Sequence, residues 1–224
     1  MDGRLAEFWL SNKMATHFHT DSEVSTQRLE AFSDGVFAIA TTLLILEIKI
    51  PDHNDLLHQS LFRYLLKLWP KYFAYTFGFI TIGIYWSNHH YIFKLYKRTN
   101  HIFNMMNVAF LMAISFLPFP TAIFGDHIND PDQRQNAVTF FAFGIFLPAF
   151  VWFMMWLYAI HKKRLVDERL TESFIKYLTR LFLISNILYI ASIIISLFSP
   201  TASILLNIIL TLLYLLPRKK PEYS

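Results

Sequence analysis

The stretch RLEAFSDGVFAIATTLLILEIKI, residues 28–50, decides the fold. A helix needs about 20 mostly apolar residues to cross the hydrocarbon core of a bilayer, and Ala31–Ile50 has that length. Five more runs follow it: Pro70–Phe93, Ile102–Phe124, Ala137–Ile160, Tyr177–Phe198 and the shorter Thr201–Leu216. The runs are continuously apolar instead of alternating, which excludes the pattern of a membrane β-barrel. They predict an all-α integral membrane protein with six transmembrane helices. Residues 1–30 then form an N-terminal segment, 31–216 one six-helix membrane domain, and 217–224 a C-terminal tail.

Composition agrees. The chain has 224 residues, 54% of them hydrophobic and only 16% charged. A soluble domain usually carries about 25% charge, so this chain lacks the polar surface that water requires. Its net charge of +4 resides in clusters between the apolar runs. A nucleic-acid binder would gather such charge on one solvated face, so no nucleic-acid partner is expected. There is no cysteine, which excludes disulfides, thiol catalysis and thiolate metal sites. Residues 1–30 show no apolar core followed by a small-residue cleavage site, so the first run reads as a retained anchor.

The breaks between runs have recognisable chemistry. Pro51 opens a polar link with Asp52, Asn54 and Asp55, and Pro70 suits the first turn of the second helix. Leu56–Leu68 is amphipathic and predicts a short helix at the membrane interface. Gly125–Asn136 reads as a polar loop, and Ser199-Pro200 as a tight link. Pro118, Pro120 and Pro148 are expected to distort the third and fourth helices. Five basic residues, Lys49, Arg63, Lys67, Lys71 and Arg134, fall on one side, leaving 15 of the 20 on the other. That second side includes Arg4, Lys13, Arg28, Lys94, Lys97, Arg98, the cluster from Lys162 to Arg180, and Arg218 to Lys220. The positive-inside rule then places both termini in the cytoplasm of a multi-pass membrane protein.

The first helix carries the informative residues. Asp34 lies about one turn inside the apolar run, where a charge is costly unless paired or hydrated. It is a functional candidate, the plainer alternative being a snorkelling side chain or a helix cap. Ile39, Leu43, Leu46 and Ile50 share one stripe, with Thr42 at its edge and Asp34 projecting well away. Spacing alone leaves open whether the stripe faces a pore, lipid or other helices. The second helix ends in Trp86-Ser87-Asn88-His89-His90-Tyr91, at the same depth as Arg28 and Asp34. An Arg28–Asp34–His89 network would neutralise the acid and lock the two helices together. Adjacent histidines point in different directions, so only one of His89 and His90 joins. A metal site at this pair lacks convincing ligand spacing. The chain has no phosphate-binding glycine loop, no nucleophile elbow, no HExxH and no TVGYG filter. None of its helices carries regularly spaced arginines.

The run Arg28…Phe32-Ser33-Asp34-Gly35-Val36-Phe37-Ala38-Ile39-Ala40…Thr42-Leu43-Leu44 resembles the hallmark of the transmembrane protein 175 family of potassium channels. Trp86…Asn88-His89-His90 resembles the family's second recurring feature. Several expectations follow from the resemblance. One six-helix repeat per chain matches the prokaryotic members, which are homotetramers, so a four-fold channel is implied with the first helix lining the pore. Ile39 matches a narrow hydrophobic gate, with Leu43 and Leu46 the next pore-facing layers. Thr42 matches a threonine linked to selectivity. Arg28, Asp34 and His89 match a structural polar network, with Trp86, Asn88 and His90 as possible further members. No cofactor is implied, only permeant potassium in a moderately selective pore, since apolar rings offer no carbonyl cage.

Three other readings are set against this one. A secondary transporter of a cation or small solute would show inverted repeats and interrupted helices. A membrane enzyme would use Asp34 and His89 as acid and base, without any reaction-specific motif to support it, so the chain reads as a non-enzyme. A structural subunit would carry no flux of its own.

Overall fold

The computed structural model describes residues 26–57, 59–216 and 219–223. Arg4, Lys13 and Arg218, which enter the charge argument, lie outside the described residues, as does most of the N-terminal segment. The described chain is all-α. Its helices are α1 (Thr26–Leu43), α2 (His53–Leu56), α3 (Leu61–Lys67), α4 (Trp69–Phe93), α5 (His101–Phe116), α6 (Pro118–His127), α7 (Arg134–Ile160), α8 (Glu172–Ser196) and α9 (Pro200–Tyr214). Two isolated backbone bridges, Tyr96 with Val166 and Leu170 with Tyr223, are the only β pairing among the described residues.

Among the described residues, four segments are long and apolar enough to cross a membrane: Thr26–Glu47, His101–His127, Arg134–Lys163 and Glu172–Ser196. The 25-residue α4 spans about 37 Å at 1.5 Å per residue, but its Tyr, Trp, Asn and His residues lower its mean hydropathy. The 15-residue α9 is apolar and shorter.

Local signals set the ends of these helices. Side chains of Ser60, Asn100, Thr171 and Ser199 accept hydrogen bonds from backbone N–H groups three residues on, capping α3, α5, α8 and α9. Pro70, Pro118 and Pro200 sit in first turns, where a missing N–H costs nothing. Pro118 breaks the third apolar run at Leu117 into α5 and α6, whereas Pro148 lies inside a continuous α7. Two expected boundaries move. The supposed loop from Gly125 is helical as far as His127. The first helix loses α geometry after Leu43, tightens into a 3₁₀ turn over Leu44–Glu47, and ends before Ile50.

Packing places α7 at the centre, against α5, α6, α8 and α9, while α1 lies against α4 and α5. Aromatic residues fill the core: Phe124 stacks on Phe141 at 4.5 Å, and Phe110 tilts against Trp152 at 5.1 Å. A Cβ on Gly144 would lie 2.6 Å from Cγ of Pro120, so only glycine lets α7 approach α6 this closely.

One end of the bundle gathers basic loops. Asp167, in the link from α7 to α8, holds Arg169 at 2.8 Å and Lys97, just past α4, at 3.3 Å. The Arg169 guanidinium holds the Asp167 carboxyl well below the usual carboxylate range. Backbone bonds of 2.9 Å from Lys97 to Leu165 and from Asp167 to Leu95 strap the two links together. Residues 219–223 return to the same end, where Tyr91 donates to the Lys219 carbonyl and Thr171 N–H to the Glu222 carbonyl.

Candidate functional site

Helix α1 is buried on one side only. Ser33, Phe37, Ala40 and, one turn on, Leu44 are spaced four, three and four residues apart, so they share the face that meets α4 and α5. Of the four long apolar segments, this one has the smallest buried share. Its other face presents Ile39 (61% exposed), Thr42, Leu43 and Leu46 (69% exposed) to the outside of the chain. Ile50 is also exposed but lies beyond the helix.

Thr42 has a specific polarity on that apolar face. Its hydroxyl donates to the Ile39 carbonyl at 2.9 Å. With its proton committed to the backbone, the oxygen directs lone pairs outward, which suits a cation or a water molecule. Thr41, on the less exposed side, donates instead to the carbonyl four residues back, that of Phe37, at 2.7 Å.

The buried face is keyed by a directional hydrogen-bond chain. His89, 1% exposed, stacks on Phe93 at 3.8 Å and meets Phe37 edge-on at 5.6 Å. Its Nε2 lies 3.2 Å from Asn107 Oδ1. An amide oxygen only accepts, so His89 Nε2 carries the proton. Asn107 then donates to Ser33 Oγ at 3.1 Å, and Ser33 donates to the Leu29 carbonyl at 2.7 Å. Each donor in the chain has one acceptor, and together they tie α4 to α5 and α5 to α1.

Asp34 belongs to a separate contact. Its carboxylate accepts the Trp86 indole N–H at 2.9 Å, on the flank between the buried and exposed faces. No hydrogen bond or ion pair joins Arg28, Asp34 and His89 to one another among the described residues. Arg28 is exposed in the first turns of α1, and His90 points outward to within 4.0 Å of Glu30. Asn88 bonds back to the Ile84 carbonyl of its own helix. Asn107 was not among the sequence candidates, although an amide inside the apolar run Ile102–Phe124 was a signal that could have found it. Ser33 carries more than its size suggested, since it is the α1 end of the chain.

The family described as endosomal/lysosomal potassium channel TMEM175 has a model that matches residues 28–118, the segment that contains all these residues. A potassium channel of Chamaesiphon minutus is 39% identical over 180 residues, covering 80% of this chain and 88% of that protein. The chain belongs to the TMEM175 family. A potassium channel of a Chryseobacterium species is 32% identical over 200 residues, covering 88% of this chain and 96% of that one. The crystal structure of a Chamaesiphon minutus homologue of the lysosomal potassium-selective channel TMEM175 superposes with a TM-score of 0.77 at 35% identity. That superposition covers 85% of this chain and 96% of the other. Within this TMEM175 chain, the family segment therefore holds both the exposed face of α1 and the buried chain that orients it.

Proposed function

We propose that this chain is one subunit of a potassium channel whose conduction path is lined by the exposed face of α1. The observation that carries the reading is that face itself. A long apolar helix, keyed on one side by Ser33, Phe37 and the His89–Asn107 contact, leaves Ile39, Thr42, Leu43 and Leu46 exposed on its other face among the described residues. Four copies arranged about an axis would cover that face and enclose a narrow path. In this reading the chain crosses the cell inner membrane six times, with both termini cytoplasmic. Ile39, Leu43 and Leu46 form stacked apolar rings, with Ile39 the constriction. Such a ring stops ions by expelling water when narrow, and conducts when widened. The reading needs no cofactor beyond permeant potassium.

Thr42 supplies the polar ring. Its outward lone pairs give a weak oxygen ligand that favours a large, easily dehydrated cation, which makes selectivity moderate. Thr42→Val keeps the shape and removes the oxygen. Reversal potentials in opposed potassium and sodium gradients are expected to move toward a permeability ratio of unity, with total current retained. A potassium preference unchanged in the variant would remove Thr42 from this role.

A transporter reading would use the break at Leu117, because interrupted helices expose ion-binding carbonyls. Here Leu117 is buried, and the Ile114 carbonyl, which the missing N–H of Pro118 frees, accepts the Leu117 N–H at 3.1 Å. The freed carbonyl is already satisfied, which favours the channel.

A further inference from the structure

A small cavity lies within the bundle on a face of α4 other than the one that carries Trp86 and His89. Thr81, Tyr85 and Asn88 of α4 line it, with Asn186 and Tyr189 of α8 and Tyr214 of α9. Its volume is about 30 Å³, and a single water needs roughly 10–15 Å³ on the same scale. No charged residue lines it.

Two buried polar atoms among its walls have no hydrogen-bond partner among the described residues: Thr81 Oγ1 and Asn186 Oδ1. Both residues are only 6% exposed. The amide nitrogen of Asn186 is spent on the Phe182 and Ala149 carbonyls, at 2.8 and 3.3 Å, which fixes the rotamer. Other polar groups of the wall are already engaged. Tyr85 donates to the Ile145 carbonyl of α7 at 3.3 Å, and Tyr214 shares a hydrogen bond with Ser185.

We infer that this cavity is a hydration site holding one or two water molecules, which hydrogen-bond Thr81 Oγ1 and Asn186 Oδ1 and join α4 to α8. The ligand class follows from the lining. Most of the lining surface is apolar, and the two unpartnered oxygens of Thr81 and Asn186 supply the polar partners that a retained water needs. The lining offers no charge to offset the desolvation of an ion, whereas a water molecule needs only hydrogen-bond partners. The site is independent of the proposed pore, since none of its lining residues lies on α1.

The test turns on a sign. Thr81→Val keeps the shape and removes only the hydroxyl, which makes no bond among the described residues. If water satisfies that hydroxyl, the variant loses a hydrogen bond and its midpoint of thermal unfolding in detergent falls by a few degrees. If the cavity is dry, the variant sheds an unsatisfied buried group and the midpoint rises. A rise or no change overturns the inference. Radiolytic hydroxyl labelling of the unaltered protein gives a second readout, because it modifies side chains beside ordered water. Tyr189, only 6% exposed, is expected to be labelled at a rate out of proportion to its exposure. Labelling no faster than at an equally buried tyrosine remote from the cavity, such as Tyr96, also overturns it.

Discussion

Ile39→Asn, reconstituted into liposomes beside the unaltered protein, is expected to pass potassium several-fold faster. Ile39 is 61% exposed and on the side of α1 opposite Phe37 and Ala40, so replacing it disturbs little packing within the chain. Its proposed effect acts through water. A ring of four isoleucines excludes water when narrow, while four amides would hold it and lower the barrier to a hydrated ion. The melting profile should remain close to that of the unaltered protein. Unchanged flux from the folded variant would remove the constriction from Ile39.

The second large effect concerns the buried side of the same helix. Asn107→Ala is expected to destabilise the fold by several kcal/mol. The change leaves the His89 Nε2–H buried without an acceptor, which alone costs about 1–3 kcal/mol. Loss of the side chain adds a cavity beside residues that are nearly fully buried. Ser33 keeps its bond to the Leu29 carbonyl, so α1 stays helical locally while its attachment to α5 weakens. Thermal unfolding in detergent measures the loss. A native-like melt would show that the Ser33–Asn107–His89 chain contributes little.

The sequence made the helices readable because each rests on local signals. Apolar length marked the runs, and Pro70 and Ser199-Pro200 marked where α4 and α9 begin. The break at Leu117 was readable only as a distortion, since Pro118 sits at a first turn while Pro148 is absorbed within α7. That difference depends on neighbours. Pro120 fits against Gly144, and no feature of the α6 sequence alone announces this contact.

The candidate site was legible in part for a geometric reason. Matching depths along two antiparallel helices fixes the height of Arg28, Asp34 and His89 but not their rotation about the helix axes. Rotation turns Asp34 toward Trp86, His89 toward Asn107 and His90 toward Glu30. The stripe of Ile39, Leu43 and Leu46 was readable as a stripe, and its exposure follows only from the packing of α4 and α5 against the other face.

The central claim is that the exposed face of α1 borders the ion path and the Phe37 face does not. The chain contains no cysteine, so single cysteines can be introduced without altering the background. Thr42→Cys and Phe37→Cys proteins, in liposomes, would be treated with a charged, membrane-impermeant thiol reagent while potassium flux is followed. The account predicts that modification at position 42 stops the flux, whereas the cysteine at 37 leaves it unaffected. Undiminished flux after confirmed modification at position 42 would contradict it.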